Sequence, residues 1–214
     1  MKVKICGITN LADARYAAAL GVDFLGFIQD TDSKRFIEPG LAAEIIEWVA
    51  GPETVGVFVN QDAAHINAVA KKAGFDWIQL HGNESVGLCS SVTLPIIKAF
   101  VIRSSDTAES LRIRMTPYSD VVRYFLLDAY DERMHGGTGK SIDRTIAREL
   151  AQSFPVFLAG GLRPENIIES VRAVEPAGVD VSSGLEETVG KKDFAKLDAF
   201  IDALSGERLI GESA

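Results

Sequence analysis

Eight times along the chain a short β-branched or apolar run is followed by a longer stretch with helical spacing, and this repeat limits the fold more than any other feature. The short runs are Val3 to Cys6, Phe24 to Ile28, Val55 to Val59, Trp77 to Leu80, Ile96 to Phe100, Val122 to Leu127, Val156 to Leu158 and Val179 to Val181. The helical patterns cover Asn10 to Leu20, Leu41 to Ala50, Asp62 to Ala73, Glu84 to Ser90, Thr107 to Met115, Asp143 to Ser153, Pro164 to Val174 and Asp193 to Leu204. Asn10 is placed to cap the first helix and Gly21 to end it, and Gly74 closes the third in the same way. Strands separated by helices run parallel, because a parallel pair needs a crossover connection. Eight units leave about 27 residues for each, near the lower size of an α/β protein built as a single (β/α)8 TIM barrel. An open doubly wound sheet permits the same alternation but has about five or six strands. The expectation is one barrel domain over residues 1–214, with no linker or low-complexity segment inside it.

The charge balance narrows the partners. Lysine and arginine number 22 against 30 acidic side chains, for a formal net charge of -8. Nucleic acid as the main partner is disfavoured, because it draws on a basic stripe that releases counterions from phosphates. A small anion needs only a local positive site. The opening MKVKICGITN has too few consecutive apolar residues for the ~7 to 15 of a signal core, and no run approaches the roughly 18 that span a bilayer. Two cysteines, Cys6 and Cys89, are too few for a disulfide framework. A reducing cytoplasm with both thiols free is the expected location.

In a barrel the chemistry belongs to the C-terminal ends of the strands and the loops that follow. Those positions hold Cys6-Gly7, Ser33-Lys34-Arg35, Gln79-Leu80-His81-Gly82, Asp128, Ala159-Gly160-Gly161 and Ser182-Ser183-Gly184. The loops after strands seven and eight commonly bind phosphate in such folds, so Gly160, Gly161, Ser182, Ser183 and Gly184 form a candidate cradle. Glycine lets the backbone approach the anion, and Pro164 suits the first turn of a helix aimed at it. A plain tight turn is the alternative for the glycine pair. The segment Gly136 to Ser141 ends like a nucleotide P-loop, but Met134 stands where that motif needs its first glycine, so it reads as a flexible lid over Asp128.

Alternation places Lys4 and Cys6 on one face of the first strand. If that face is the interior, an ammonium lies one layer below the thiol and favours the thiolate of a general base. Without that neighbour, a cysteine at a strand end is a small buried hydrophobe. Asp180, on the adjoining eighth strand, is the expected partner of Lys4, because an unpaired buried charge is costly. Asp128 follows the apolar Tyr124 to Leu127 and reads either as a general acid or as a loop cap.

The ordered set KICGIT at 4–9, SKRFI at 33–37, VGVFVN at 55–60, QLHG at 79–82, LLD at 126–128, GGTGK at 136–140, LAGGLRPEN at 158–166 and VDVSSGLE at 179–186 resembles the phosphoribosylanthranilate isomerase family of tryptophan biosynthesis. The resemblance runs from Lys2 to about Ala203 and implies the barrel fold. It implies an Amadori rearrangement of N-(5-phosphoribosyl)anthranilate without metal or redox cofactor, by a monomer or homodimer. It places the general acid on Asp128, the general base on Cys6 and the arginine for the anthranilate carboxylate on Arg35. His81 either lies near the aromatic ring or satisfies hydrogen bonds at its strand end. The loop Gln29 to Lys34 departs from the family, whose members commonly carry an apolar or aromatic residue and a proline there; Asp30 and Asp32 disfavour an anionic substrate unless they face solvent. Two other readings are a related sugar-phosphate isomerase of histidine biosynthesis and a non-catalytic phosphate-binding barrel. Cys6 in place of a second aspartate, and the lack of a half-barrel repeat, argue against the first.

Overall fold

The computed structural model describes residues 1–129 and 144–211. Strand β1 (Lys2–Cys6) leads to helix α1 (Leu11–Ala19), and the alternation continues with β2 (Phe24–Ile28), α2 (Pro39–Glu47), β3 (Glu53–Phe58), α3 (Ala63–Ala73), β4 (Trp77–Leu80) and α4 (Val86–Ser91). Then come β5 (Ile96–Ile102), α5 (Ala108–Met115), β6 (Tyr124–Ala129), α6 (Arg144–Ala151), β7 (Val156–Leu158), α7 (Ile167–Val174) and β8 (Gly178–Val181). A small hairpin, β9 (Glu186–Thr188) and β10 (Lys191–Lys192), precedes the last helix, α8 (Phe194–Gly211). The first eight strands pair in order as a closed parallel barrel, and β8 returns to β1 with Lys4 opposite Asp180. The open doubly wound sheet is thereby excluded.

The local signals for the helices act as anticipated. The Asn10 side chain accepts from the Asp13 amide and Asp62 from the His65 amide, satisfying free N–H groups of the first turn. Gly21 and Gly74 take φ of 74° and 77°, the left-handed conformation that ends a helix at little cost for glycine.

Two cores divide the apolar side chains. The larger lies between strands and helices, with Ile5, Leu25, Phe27, Phe58, Ile78, Leu127 and Leu158 facing outward onto the helical ring. The smaller fills the barrel interior near its N-terminal end, where Phe24, Val55, Ile97, Leu126 and Phe157 pack with Trp77 and Tyr124. Phe157 meets Phe24 and Tyr124 edge-on at centroid separations of 5.9 and 5.0 Å, the geometry favoured by aromatic quadrupoles. This plug closes one mouth of the barrel. Because side chains alternate, the residues above it on the same inner faces are Lys4 and Cys6, Gln79 and His81, Asp128, and Asp180 and Ser182.

Several boundaries differ from those read in the sequence. Helix α7 starts at Ile167, not Pro164, which sits in a turn closed by Asn166. The Asn166 side chain accepts from the Arg163 amide and donates to the Gly161 carbonyl, so these residues spend their polar groups on the turn. Helix α2 ends at Glu47, and Trp48, apolar but 70% exposed, is not part of a buried face. The Gly136 to Ser141 segment lies outside the described residues. Among the described residues no helix is long and apolar enough to cross a membrane.

Candidate active site

The polar layer begins on β1. Lys4, fully buried, donates from Nζ to Asp180 Oδ1 at 2.9 Å across the β1–β8 seam. Burial alone would pull the lysine toward its neutral form, but the attraction of Asp180 and then of Cys6 outweighs it and holds its pKa above the ordinary value. Gly26, paired with Cys6 on β2, makes room for this layer: a Cβ there would stand 2.8 Å from Cys6 Sγ and 2.9 Å from Lys4 Nζ. The ammonium therefore lies beside the thiol, as anticipated. Its effect is smaller than anticipated, because burial pushes the Cys6 thiol up, Lys4 pulls it down only partly, and Asp180 adds to the rise. Burial therefore outweighs Lys4 and favours the thiol over the thiolate.

At the end of β1 the chain turns at Gly7, with φ of 76°. A Cβ there would meet Arg35 Cδ at 2.8 Å and Ser182 Oγ at 2.9 Å. One small position thus gathers the ends of β1 and β8 and the loop after β2. Ser182 Oγ is buried and has no hydrogen-bond partner among the described residues, so a hydroxyl that can donate or accept stands ready at the rim. Gly160 and Gly161 after β7 both adopt left-handed φ, 85° and 65°. Ser183 opens a short 3-10 turn and is exposed, and Gly184 lies so close to the Leu162 carbonyl that no side chain would fit. The loops after β7 and β8 therefore touch, as a shared anion cradle requires. Backbone N–H groups of these loops, not a capped helix, would supply the donors, since α7 begins only at Ile167.

Asp128 shares the inner face of β6 with Leu126 and Tyr124 and is 30% exposed at the side chain. His81 Nε2 lies 3.3 Å from its Oδ2, while His81 Nδ1 is 2.8 Å from Gln79 Nε2. If the amide donates to Nδ1, the neutral imidazole carries its proton on Nε2, facing Asp128. These contacts tie His81 to Gln79 on β4 and Asp128 on β6. The loop that carries it is fixed by Glu84, fully buried at the side chain, which accepts from the Asn60 and Gly82 amides and lies 3.0 Å from Lys98 Nζ.

Arg35 is already engaged by another side chain. Its Nε donates to Glu186 Oε1 and its Nη2 to Glu186 Oε2, both at 2.7 Å, and Lys192 Nζ lies 3.3 Å from the same carboxylate. Despite burial, Arg35 and Lys192 hold Glu186 below the usual carboxylate range. Neither Glu186 nor Lys192 was singled out in the sequence; the available signal was a pair of charges flanking Gly190 just after the eighth strand. Asp32 is exposed, and the half-buried Asp30 accepts from the Asp32 amide in a local turn.

Comparison with known proteins follows this geometry. The family model of N-(5'-phosphoribosyl)anthranilate isomerase matches residues 3–203. The chain belongs to this family. N-(5'-phosphoribosyl)anthranilate isomerase from Pelobacter propionicus is 45% identical over 202 residues, covering 94% of each chain. Phosphoribosyl anthranilate isomerase from Thermotoga maritima superposes with a TM-score of 0.86 at 36% identity, covering 96% of this chain and 99% of that one. A phosphoribosyl anthranilate isomerase solved in complex with reduced 1-(o-carboxyphenylamino)-1-deoxyribulose 5-phosphate has a TM-score of 0.83 at 34% identity, covering 96% and 99%. Membership makes the chain an isomerase of tryptophan biosynthesis, and the histidine-pathway and non-catalytic readings are set aside.

Proposed function

We propose that this phosphoribosylanthranilate isomerase carries out its Amadori rearrangement with Asp128 as general acid and Cys6 as general base. Asp128 gives its proton to the furanose ring oxygen, the bond from that oxygen to C1′ breaks, and the nitrogen lone pair forms the iminium. Cys6 as thiolate removes the C2′ proton, and the electron pair moves to give an enolamine. Tautomerisation returns a proton to C1′ and leaves the ketone at C2′, yielding 1-(2-carboxyphenylamino)-1-deoxyribulose 5-phosphate. The loops bearing Gly160, Gly161, Ser182, Ser183 and Gly184 hold the phosphate, and Arg35 takes the anthranilate carboxylate, for which a planar guanidinium fork is suited. The enzyme works in the cytoplasm as a monomer or homodimer.

The convergence around Gly7 carries this reading: the Ser182 hydroxyl and the Arg35 side chain meet beside the end of the strand that carries Cys6, and Asp128 faces the same interior from β6, three strands round the barrel. Mixing the protein with freshly made phosphoribosylanthranilate should abolish the fluorescence of that substrate within minutes at micromolar enzyme. An unchanged signal beside an active control enzyme would sink the assignment. A second expected result concerns the resting thiol. Because burial raises the Cys6 pKa, the difference in 240 nm absorbance between wild type and Cys6→Ala should show no thiolate step below about pH 8.5, the ordinary thiol value. A step near neutral pH would mean that Lys4 outweighs burial after all. The thiolate that removes the C2′ proton then forms in the complex, where the positive iminium beside Cys6 favours the charged form.

A further inference from the structure

Among the described residues Arg35 is gripped by protein on one edge only. A guanidinium has two edges that can each hold a carboxylate through two parallel hydrogen bonds: the side edge of Nε and one Nη, and the end edge of both Nη atoms. Glu186 fills the side edge with two contacts of 2.7 Å. It leaves the end edge, and the Arg35 side chain as a whole is 24% exposed.

Glu186 is itself buried and anchored through its backbone. Its side chain is 5% exposed, and its backbone carbonyl accepts from Lys196 Nζ at 2.8 Å. Its register partner across the β9–β10 hairpin is Lys192. Lys192 is 2% exposed, and its Nζ donates to the Cys6 carbonyl at 2.7 Å and the Ser182 carbonyl at 3.2 Å. The Lys192 amide donates to Asp13 Oδ2 at 2.8 Å, and the Thr9 hydroxyl to the Gly190 carbonyl. The hairpin is thus tied to the ends of β1 and β8 and to α1. Arg35 and Lys192 thus both face the Glu186 carboxylate.

We propose that the β9–β10 hairpin is a recognition element for the aromatic acid end of the substrate, in which Glu186 is a positioning residue. By occupying the side edge, Glu186 sets the plane of Arg35 and presents Nη1 and Nη2 as the fork for the anthranilate carboxylate. Lys192 keeps Glu186 in register from the opposite strand. The proposal rests on the reading that Arg35 takes that carboxylate. A competing arrangement, in which Glu186 shields Arg35 and the substrate displaces it, makes the opposite prediction for affinity.

Calorimetric titration separates these cases. The probes are reduced 1-(o-carboxyphenylamino)-1-deoxyribulose 5-phosphate and the same compound without its carboxylate. Glu186→Gln should weaken the carboxylated probe about 10- to 100-fold, the size of a lost bidentate charged contact. It should leave the decarboxylated probe within about threefold. Arg35→Lys, which keeps the charge but has no second edge, should lose the same discrimination. Unchanged or tighter binding of the carboxylated probe by Glu186→Gln overturns the proposal, and so does an equal loss for both probes. If Glu186→Gln does not fold, wild-type discrimination in Arg35→Lys overturns it independently. Arg35→Met distinguishes the levels. If that variant still discriminates, the carboxylate reading of Arg35 fails and the proposal with it; if it loses discrimination while Glu186→Gln keeps it, only the role of the hairpin fails.

Discussion

Replacing Cys6 by Ala, or Asp128 by Asn, should lower kcat at least about a hundredfold with KM within about threefold, as followed by the decay of substrate fluorescence. General acid and base groups typically contribute 10²- to 10⁴-fold each, or roughly 3 to 5 kcal/mol of barrier. In the proposed mechanism the two side chains act on reacting atoms and not on the anionic handles of the substrate, so the loss belongs in kcat. Neither change strains the fold. The Cys6 sulfur occupies space above Gly26, and losing it relieves contact without introducing bulk. Asn at 128 keeps its shape beside His81. Turnover near wild type in either variant would remove that residue from the chemistry. Cys6→Ser is a useful companion, because a hydroxyl has the shape of the thiol but far less acidity, and it should be nearly as inactive as the alanine.

The second large effect is on stability. Lys4→Met should cost about 3–5 kcal/mol, the penalty for stranding a buried charge, because Asp180 loses its partner across the seam. For a chain of this size that is a fall of roughly 6 to 20 °C in Tm. Adding Asp180→Leu to Lys4→Met should restore most of the loss, since an apolar pair of similar volume is often as stable as a buried ion pair. Urea midpoints of the two single variants and the double variant check this as a cycle. Additive losses would show that the 2.9 Å contact does not couple the two residues. The refolded double variant should nevertheless be a poor isomerase. Its thiol has lost the neighbouring cation that partly offsets burial, so stability and activity separate in one protein.

Much of this was legible in the chain. The runs Phe24 to Ile28, Trp77 to Leu80 and Val156 to Leu158 coincide with β2, β4 and β7, because buried parallel strands are short, β-rich and sharply bounded. The pairing of Lys4 with Asp180 followed from strand alternation and the cost of an unpaired charge. The start of α7 was not legible: Pro164 is well suited to a first helical turn, but the Asn166 side chain closes a tighter turn before the helix begins. Glu186 was missed for a different reason. Its partner Arg35 lies 151 residues away, and a hairpin of three plus two residues carries no periodicity to read. Knowing that Arg35 was a cation near the rim did not reveal that one of its edges was already committed.

The seam between β1 and β8 also has a meaning in time. Lys4 and Asp180 are separated by 176 residues, so the lysine leaves the ribosome long before its carboxylate exists. At roughly 5 to 20 residues per second, the wait is about 10 to 40 s. During it β1 has β2 on one side and nothing to close against on the other, and Lys4 must stay in water. The base, the cradle hydroxyl of Ser182 and the hairpin that seats Arg35 come together only when the last strand arrives. A nascent chain therefore gains its catalytic layer and its final ring closure in the same event, and no shorter fragment can hold the thiol beside its ammonium and that ammonium beside its counterion.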